Sequence, residues 1–416
     1  MRKRVVVTGL GLVTCLSSKR EESWKLILSS RSGIRKISTF DTENLPVCIG
    51  GEVLDSESGG DFVVKEFGDP RRHDKYILYG FAASREAVLD SCLLDYPSLD
   101  KSRVGVSIGS GIGGLPLIEK NSILLHEGGP RKVSPFFIPA SLINLTSGNV
   151  AIEHGFTGPN DAIVTACATG AHSVVNSYRI ICNDEADVMV AGASEGALCR
   201  VGIAGFASMK ALSKRNDEPE KASRPWDVNR DGFVMSDGAG ILILEEYEHA
   251  KKRGAKIYAE LIGFGASGDA YHIAAPHPEG DGAFASMSRA IRMSGKTLEE
   301  VDYINTHGTS TPTGDIVELN ALKRLFGNSL RAGVSSTKSS IGHALGAAGG
   351  IEAVLCILAM RDSVMPPTIN LDNPAEEASG FNLVPHVPQE RKLNCVLSNS
   401  FGFGGTNVSL MFEKHE

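Results

Sequence analysis

Cys167 sits in Ile163-Val-Thr-Ala-Cys-Ala-Thr-Gly-Ala-His, at the end of an apolar run and the start of a small-residue helical stretch. A helix N-terminus carries unpaired N–H groups and partial positive charge. Both favour thiolate over thiol, which suits a nucleophile. Ala166, Ala168 and Gly170 let a substrate approach closely. The bland reading of any cysteine is a small buried hydrophobe, and position alone leaves the two readings evenly matched. Two histidines change the odds. His307 lies in Asn305-Thr-His-Gly-Thr-Ser-Thr-Pro-Thr-Gly-Asp, and His343 in Lys338-Ser-Ser-Ile-Gly-His-Ala-Leu-Gly. Each occupies a Gly/Ser/Thr loop at an element end, where active-site groups gather. A cysteine with imidazole partners elsewhere in the chain is the residue set for nucleophilic catalysis. Of the other histidines, His73, His126, His154, His172, His249, His277, His386 and His415 read as satisfied polar residues. His272, in Asp269-Ala-Tyr-His, is a candidate for a loop at the site's rim.

These groups need a rigid frame. Short apolar runs at residues 4–8, 103–108, 187–191, 240–244, 257–262, 303–306 and 395–398 read as buried strands of an α/β sheet. Helical patterns fill residues 72–94, 170–182, 282–294, 315–326 and 349–360. The first run, Val5-Val-Val-Thr followed by Gly9-Leu-Gly, reads as a strand and then a turn. The charged stretch 213–227 reads as a surface excursion. The two ends of the chain echo each other: the run at 4–8 resembles 257–262, 103–108 resembles 301–305, and 187–191 resembles 395–398. The helix opened at Cys167 is matched by the one opened at Gly346. Matching order at matching intervals predicts an internal duplication joined near residues 245–256. The halves are then 1–254, with the nucleophile, and 255–416, with the two histidines, each carrying one sheet.

Composition narrows the function. A chain of 416 residues exceeds the usual size of one core, which again implies two packed halves. The net charge of −7 argues against nucleic acid as a partner. The eight cysteines are scattered singly with no C-x-x-C, so zinc or thioredoxin-type chemistry is not expected and reduced cytoplasmic thiols are. The start is too short and Gly-broken for a signal peptide, and no run is long enough to span a bilayer.

Cys167 in T-A-C-A-T-G, His307 in N-T-H-G-T-S-T and His343 in K-S-S-I-G-H are followed by Ser398-Asn-Ser-Phe-Gly-Phe-Gly-Gly-Thr-Asn. Together, and in this order, they resemble the β-ketoacyl-acyl carrier protein synthases I and II, from residue 4 to residue 412. The resemblance implies a thiolase fold, a five-layer αβαβα arrangement of two duplicated halves, and a decarboxylating Claisen condensation in fatty acid elongation. Cys167 would hold the acyl chain, and neutral His307 and His343 would bind the malonyl-derived enolate. The N–H groups of Cys167 and Phe403 would bind the thioester oxyanion. Lys338 and Glu352 match a supporting pair, Thr309 and Thr311 the contacts to a pantetheine arm, and Phe403 a gate. Phe206 and Phe401 match pocket walls. Ile112 matches a branched pocket residue of the type II enzymes, where type I has Gly. Arg71, Arg72, Arg131 and Lys132 match positions that dock the acidic carrier protein. A homodimer is implied, and no metal or resident cofactor, because phosphopantetheine arrives on the carrier. Asp315 reads as a helix cap.

Other readings remain on the table. Gly109-Ser-Gly-Ile-Gly-Gly satisfies G-x-G-x-x-G after a strand, so a dinucleotide-binding oxidoreductase is a remote alternative. A polyketide-type ketosynthase with the same Cys-His-His set is the nearer one. A chain-length factor lacks the cysteine, a degradative thiolase uses a second cysteine, and a type III synthase has Asn where this chain has His343.

Overall fold

The computed structural model describes residues 3–327 and 330–415. The main sheet contains β1 (Val5–Val13), β2 (Val104–Gly109), β3 (Asn160–Asp161), β4 (Val188–Glu195) and β5 (Gly238–Glu246). It continues with β6 (Ala259–Gly268), β7 (Tyr303–Asn305), β8 (Gly333–Ser335), β9 (Cys395–Gly402) and β10 (Thr406–Lys414). Their spatial order is β8-β7-β9-β10-β6-β1-β5-β4-β2-β3. Numbered within its own half, each set of five runs 3-2-4-5-1. The pairing directions also repeat: β2 is parallel to β3 and β4, as β7 is to β8 and β9, and the remaining neighbours are antiparallel. The fold is therefore a duplication. One expectation is corrected. The halves do not carry separate sheets, because the two first strands meet edge to edge, Val6 opposite Glu260 and Val7 opposite Ala259. Those backbone groups satisfy each other instead of ending two exposed edges.

Seven helices position the rest: α1 (Lys75–Asp90), α2 (Leu115–Gly128), α3 (Thr169–Cys182), α4 (Arg200–Ser208), α5 (Asp281–Ser294), α6 (Gly314–Phe326) and α7 (Ala348–Asp362). α1 covers β1, β5 and β4 on one outer face; α5 covers β6 and β10 on the other, with α6 beside it. α3 and α7 pack on each other between the half-sheets. Residues 348–360 of α7 are all buried, which is why its sequence is apolar on every side except at Glu352.

The first strand does not turn at Gly9-Leu-Gly11; it runs on to Val13. The glycines serve packing. A Cβ at Gly11 would lie 1.8 Å from Ala83 O, and one at Gly9 2.2 Å from Ala87 O, both on α1. In the other half, Cβ atoms at Gly265 and Gly263 would lie 1.9 Å from Ser286 O and 2.4 Å from Ala290 O on α5. The helix expected at 72–94 is shorter. Asp74 is extended (φ −73°, ψ 163°) and stands just before its start, and Cys92 is left-handed (φ 50°) beyond its end. The segment 213–227 is only partly a surface excursion. Trp226 and Asp227 are fully buried. Asp227 accepts the N–H groups of Asp372 (3.0 Å) and Asn373 (2.7 Å), and Arg224 pairs with it at 3.0 Å.

Candidate active site

Cys167 lies in the tight turn Ala166–Ala168 that feeds α3. Ala166 adopts φ 50°, a strained conformation for a residue with a Cβ. Thr169 Oγ1 donates to Ala166 O (2.7 Å) and holds the turn. The small residues of α3 serve its packing on α7, since a Cβ at Gly170 would lie 2.4 Å from Gly350 N. His307 stands just beyond β7. His343 follows the turn Lys338–Ile341 and Gly342 (φ 71°). Its N–H donates to Val234 O (2.8 Å), and Ser236 N–H donates to His343 O (3.0 Å), so residues of the N-terminal half fix this loop. The three side chains open into one cavity of about 470 Å³. The imidazole centroids are 5.2 Å apart and nearly perpendicular.

Electrostatics corrects one expectation. The helix N-terminus does not make Cys167 a resting thiolate. Burial pushes the thiol up to about 12, against the opposing Lys338 ammonium and the N–H groups of Phe403 and Cys167 itself. Burial, then Lys338, hold both imidazoles well below the ordinary histidine range. Both are therefore neutral at pH 7, and each can donate from one nitrogen. Lys338 and Glu352 form a fully buried ion pair. Burial still raises Glu352 to about 7, despite its partner.

The remaining expected residues fall into three places. Thr309 and Thr311 line the cavity with their hydroxyls 3.0 Å apart. Asp315 is not the helix cap expected of it: Thr313 holds that position, and Asp315, inside α6, accepts with its buried carboxylate from the N–H groups of Ser310 (3.0 Å), Thr311 (3.3 Å) and Trp226 (3.0 Å) and so sets the threonine loop. Phe206, Phe401 and Phe403 line the cavity. Phe403 lies in the β9–β10 turn, beside the left-handed Gly404 and Gly405, with its ring 6.5 Å from Phe206. Ile112 packs on the apolar cluster that contains Cys167, Leu345 and Phe233. Arg71, Arg72, Arg131 and Lys132 lie at the exposed surface, apart from the cavity lining. Arg71 pairs with Asp69 (2.7 Å), and Arg72 sits over the Phe136 ring. His272 lines the cavity mouth as expected; His277 does so too, although it read as an ordinary polar residue. His73 Nδ1 and His154 Nε2 are buried without a hydrogen-bond partner, so those two are not satisfied.

Two acids escaped the sequence reading. Glu318, on α6, accepts the N–H groups of His307 and Gly308 (2.9 Å each) and Asn399 Nδ2 (3.1 Å). It fixes the His307 loop from a position eleven residues away. Its signal was an acid on the otherwise buried face of a helix. Glu195 ends β4 and removes the dinucleotide reading. The N–H groups of Gly111 and Ile112, which a pyrophosphate would need, donate to its carboxylate at 2.8 and 3.3 Å. Among the described residues no cluster of His, Cys, Asp or Glu could hold a metal ion, and no helix is long and apolar enough to cross a membrane.

Comparison with known proteins agrees with this geometry. Family models described as "Beta-ketoacyl synthase, N-terminal domain" and "Beta-ketoacyl synthase, C-terminal domain" match residues 2–250 and 258–372. The chain is 51% identical over 99% of both lengths to 3-oxoacyl-[acyl-carrier-protein] synthase 2 of Vibrio cholerae, and 50% identical over 99% of both lengths to the protein of that name in Rhizobium meliloti. Its fold superposes on a solved complex of a type II polyketide acyl-carrier protein with its hexaketide-bound ketosynthase (TM-score 0.91, 32% identity, all of both chains). With the Cys167 turn, the paired imidazoles and the thiolase-fold duplication in place along the whole chain, it belongs to the β-ketoacyl synthase family of condensing enzymes.

Proposed function

We propose that this chain elongates fatty acyl groups by decarboxylating Claisen condensation, in two stages at one sulfur. Cys167 Sγ attacks the thioester carbonyl of an acyl-carrier protein. Its proton passes to a neutral imidazole, the tetrahedral oxyanion collapses, and the carrier thiol leaves with a proton. Malonyl-carrier protein then enters and loses CO₂. The enolate oxygen accepts hydrogen bonds from His307 and His343, and the carbanion attacks the acyl-Cys167 carbonyl. The second oxyanion is held by the N–H groups of Cys167 and Phe403, worth about 3 kcal/mol each. Collapse releases a 3-oxoacyl-carrier protein and the Cys167 thiolate, which takes a proton from solvent to regain the resting thiol. The observation that carries this reading is one cavity shared by a nucleophile and two buried neutral imidazoles. Identity near one half, over almost the full length, to proteins named 3-oxoacyl-[acyl-carrier-protein] synthase 2 favours fatty acyl substrates.

Thr309 and Thr311 hold the pantetheine arm, Phe403 gates the acyl pocket walled by Phe206, Phe401 and Ile112, and no resident cofactor takes part. The division of labour is 1–254 for the nucleophile and 255–416 for the histidines. The carrier protein docks on Arg71, Arg72, Arg131 and Lys132. A second copy covers the face around the sheet-edge strand β3, where Ile138, Leu142, Ile152 and Val164 are exposed. The eight unpaired cysteines suit a reducing cytoplasm. Incubation with acyl-carrier protein followed by mass mapping tests the core of the proposal. The adduct is expected on Cys167, and an acyl group trapped on another residue overturns it.

A further inference from the structure

Glu195 is fully buried at the end of β4 and has no cation beside it among the described residues. Its carboxylate instead accepts four hydrogen bonds. Oε1 takes Ser110 Oγ (2.7 Å) and Ile112 N–H (3.3 Å); Oε2 takes Gly111 N–H (2.8 Å) and Gly346 N–H (2.9 Å). Three donors belong to the β2 loop of the N-terminal half. The fourth belongs to the turn Leu345–Ala347 of the other half, three residues after His343. The two loops touch there, since a Cβ at Gly346 would lie 2.2 Å from Gly111 N. Ile112 and Leu345 then share one apolar cluster with Cys167. A buried carboxylate without a counter-ion is costly unless its lone pairs are filled. Here they are filled entirely by groups that must keep a fixed spacing between the Ile112 loop, to which the proposed function gives a pocket wall, and a histidine loop.

We propose that Glu195 is a positioning residue that sets the depth of the acyl pocket by clamping Ile112 to the His343 turn. The inference rests on the condensing reaction proposed above and adds a determinant of chain length to it. Glu195→Asp withdraws the carboxylate by one carbon, about 1.5 Å, so it can no longer reach both loops. Glu195→Gln can still accept from Gly111 and Gly346 through its carbonyl, with Ser110 turning to accept from the amide; it keeps the link between the two loops and gives up only the longest bond, that from Ile112 N–H (3.3 Å).

The test measures kcat/KM for long and short acyl-carrier donors in wild type, both variants and Gly346→Ala, a wedge between the same two loops. The ratio of long to short donors is expected to shift on the order of tenfold in Glu195→Asp, to move the same way in Gly346→Ala, and to return toward wild type in Glu195→Gln. Malonyl decarboxylation should fall much less than the long-donor rate. A ratio unchanged in Glu195→Asp, or in Gly346→Ala should Glu195→Asp fail to fold, overturns the clamp. So does a loss shared equally by both donors and by decarboxylation. A wild-type enzyme that condenses neither donor overturns the reaction itself, which separates that failure from failure of the clamp.

Discussion

At the scale of single residues, the site depends on protons held where water would not leave them. Burial keeps His307 and His343 neutral as the pH falls through about 6.5, where an ordinary histidine is half protonated. Malonyl decarboxylation by Cys167→Ala, which lacks the nucleophile but keeps both donors, should therefore stay level through that pH and decline only below it. A half-maximal rate at 6.5 would mean that the imidazoles titrate as if in water. The thiol moves the opposite way. With burial holding it near 12, its alkylation by iodoacetamide in the free enzyme should climb about tenfold per pH unit through pH 9, because only thiolate reacts. A plateau before pH 9 would mean a resting thiolate. The Lys338–Glu352 pair invites a third measurement. Glu352→Ala strands a buried ammonium and should cost about 3–5 kcal/mol in denaturant unfolding. Lys338→Met with Glu352→Leu should recover much of that stability but not the decarboxylation rate. If the double variant is as active as wild type, the pair is only packing.

At the scale of elements, glycine placement separates what the sequence disclosed from what it hid. The strand at residues 4–8 was legible from its apolar run, but its continuation to Val13 was not, because Gly9 and Gly11 look like a turn until α1 is seen resting on them. Gly11→Ala is expected to destabilise by at least about 1–3 kcal/mol through overpacking. Gly205→Ala, on α4 with open space at its Cβ, should instead stabilise by about 0.5–1 kcal/mol through helix propensity. Thermal unfolding of the two variants reads both signs, and a Gly11→Ala protein as stable as wild type would contradict the contact. Cys167, His307 and His343 were legible because each sits in a distinctive small-residue loop. Glu318 and Glu195 were not. An acid in a helix or at a strand end reads as solvated until the backbone donors that surround it come from distant segments. The thiol's protonation was misjudged for a related reason: a helix N-terminus is visible in sequence, whereas desolvation depends on how deeply the two halves enclose the turn.

At the scale of the whole molecule, the duplication puts Cys167 in one half and His307 and His343 in the other, so the cavity they share lies where the halves meet. That leaves the outer surface free for partners, and its charges are unequal. The chain carries a net −7, which repels an acidic carrier protein unless local cations oppose the field. Arg71 is largely engaged by Asp69 and Arg72 by Phe136. Arg131 and Lys132 are exposed in the turn Pro130–Lys132 with no ion-pair partner among the described residues. The two free cations should therefore contribute more to carrier encounter than the engaged pair. Arg131→Glu with Lys132→Glu is expected to raise the KM for carrier-bound substrate on the order of tenfold at low salt, with kcat little changed. Arg71→Glu should do so less. Because these charges are exposed, the difference should shrink as ionic strength rises and the Debye length falls below about 10 Å. A KM unmoved by the double reversal at low salt, or one whose rise persists undiminished in high salt, would place the carrier elsewhere on the surface.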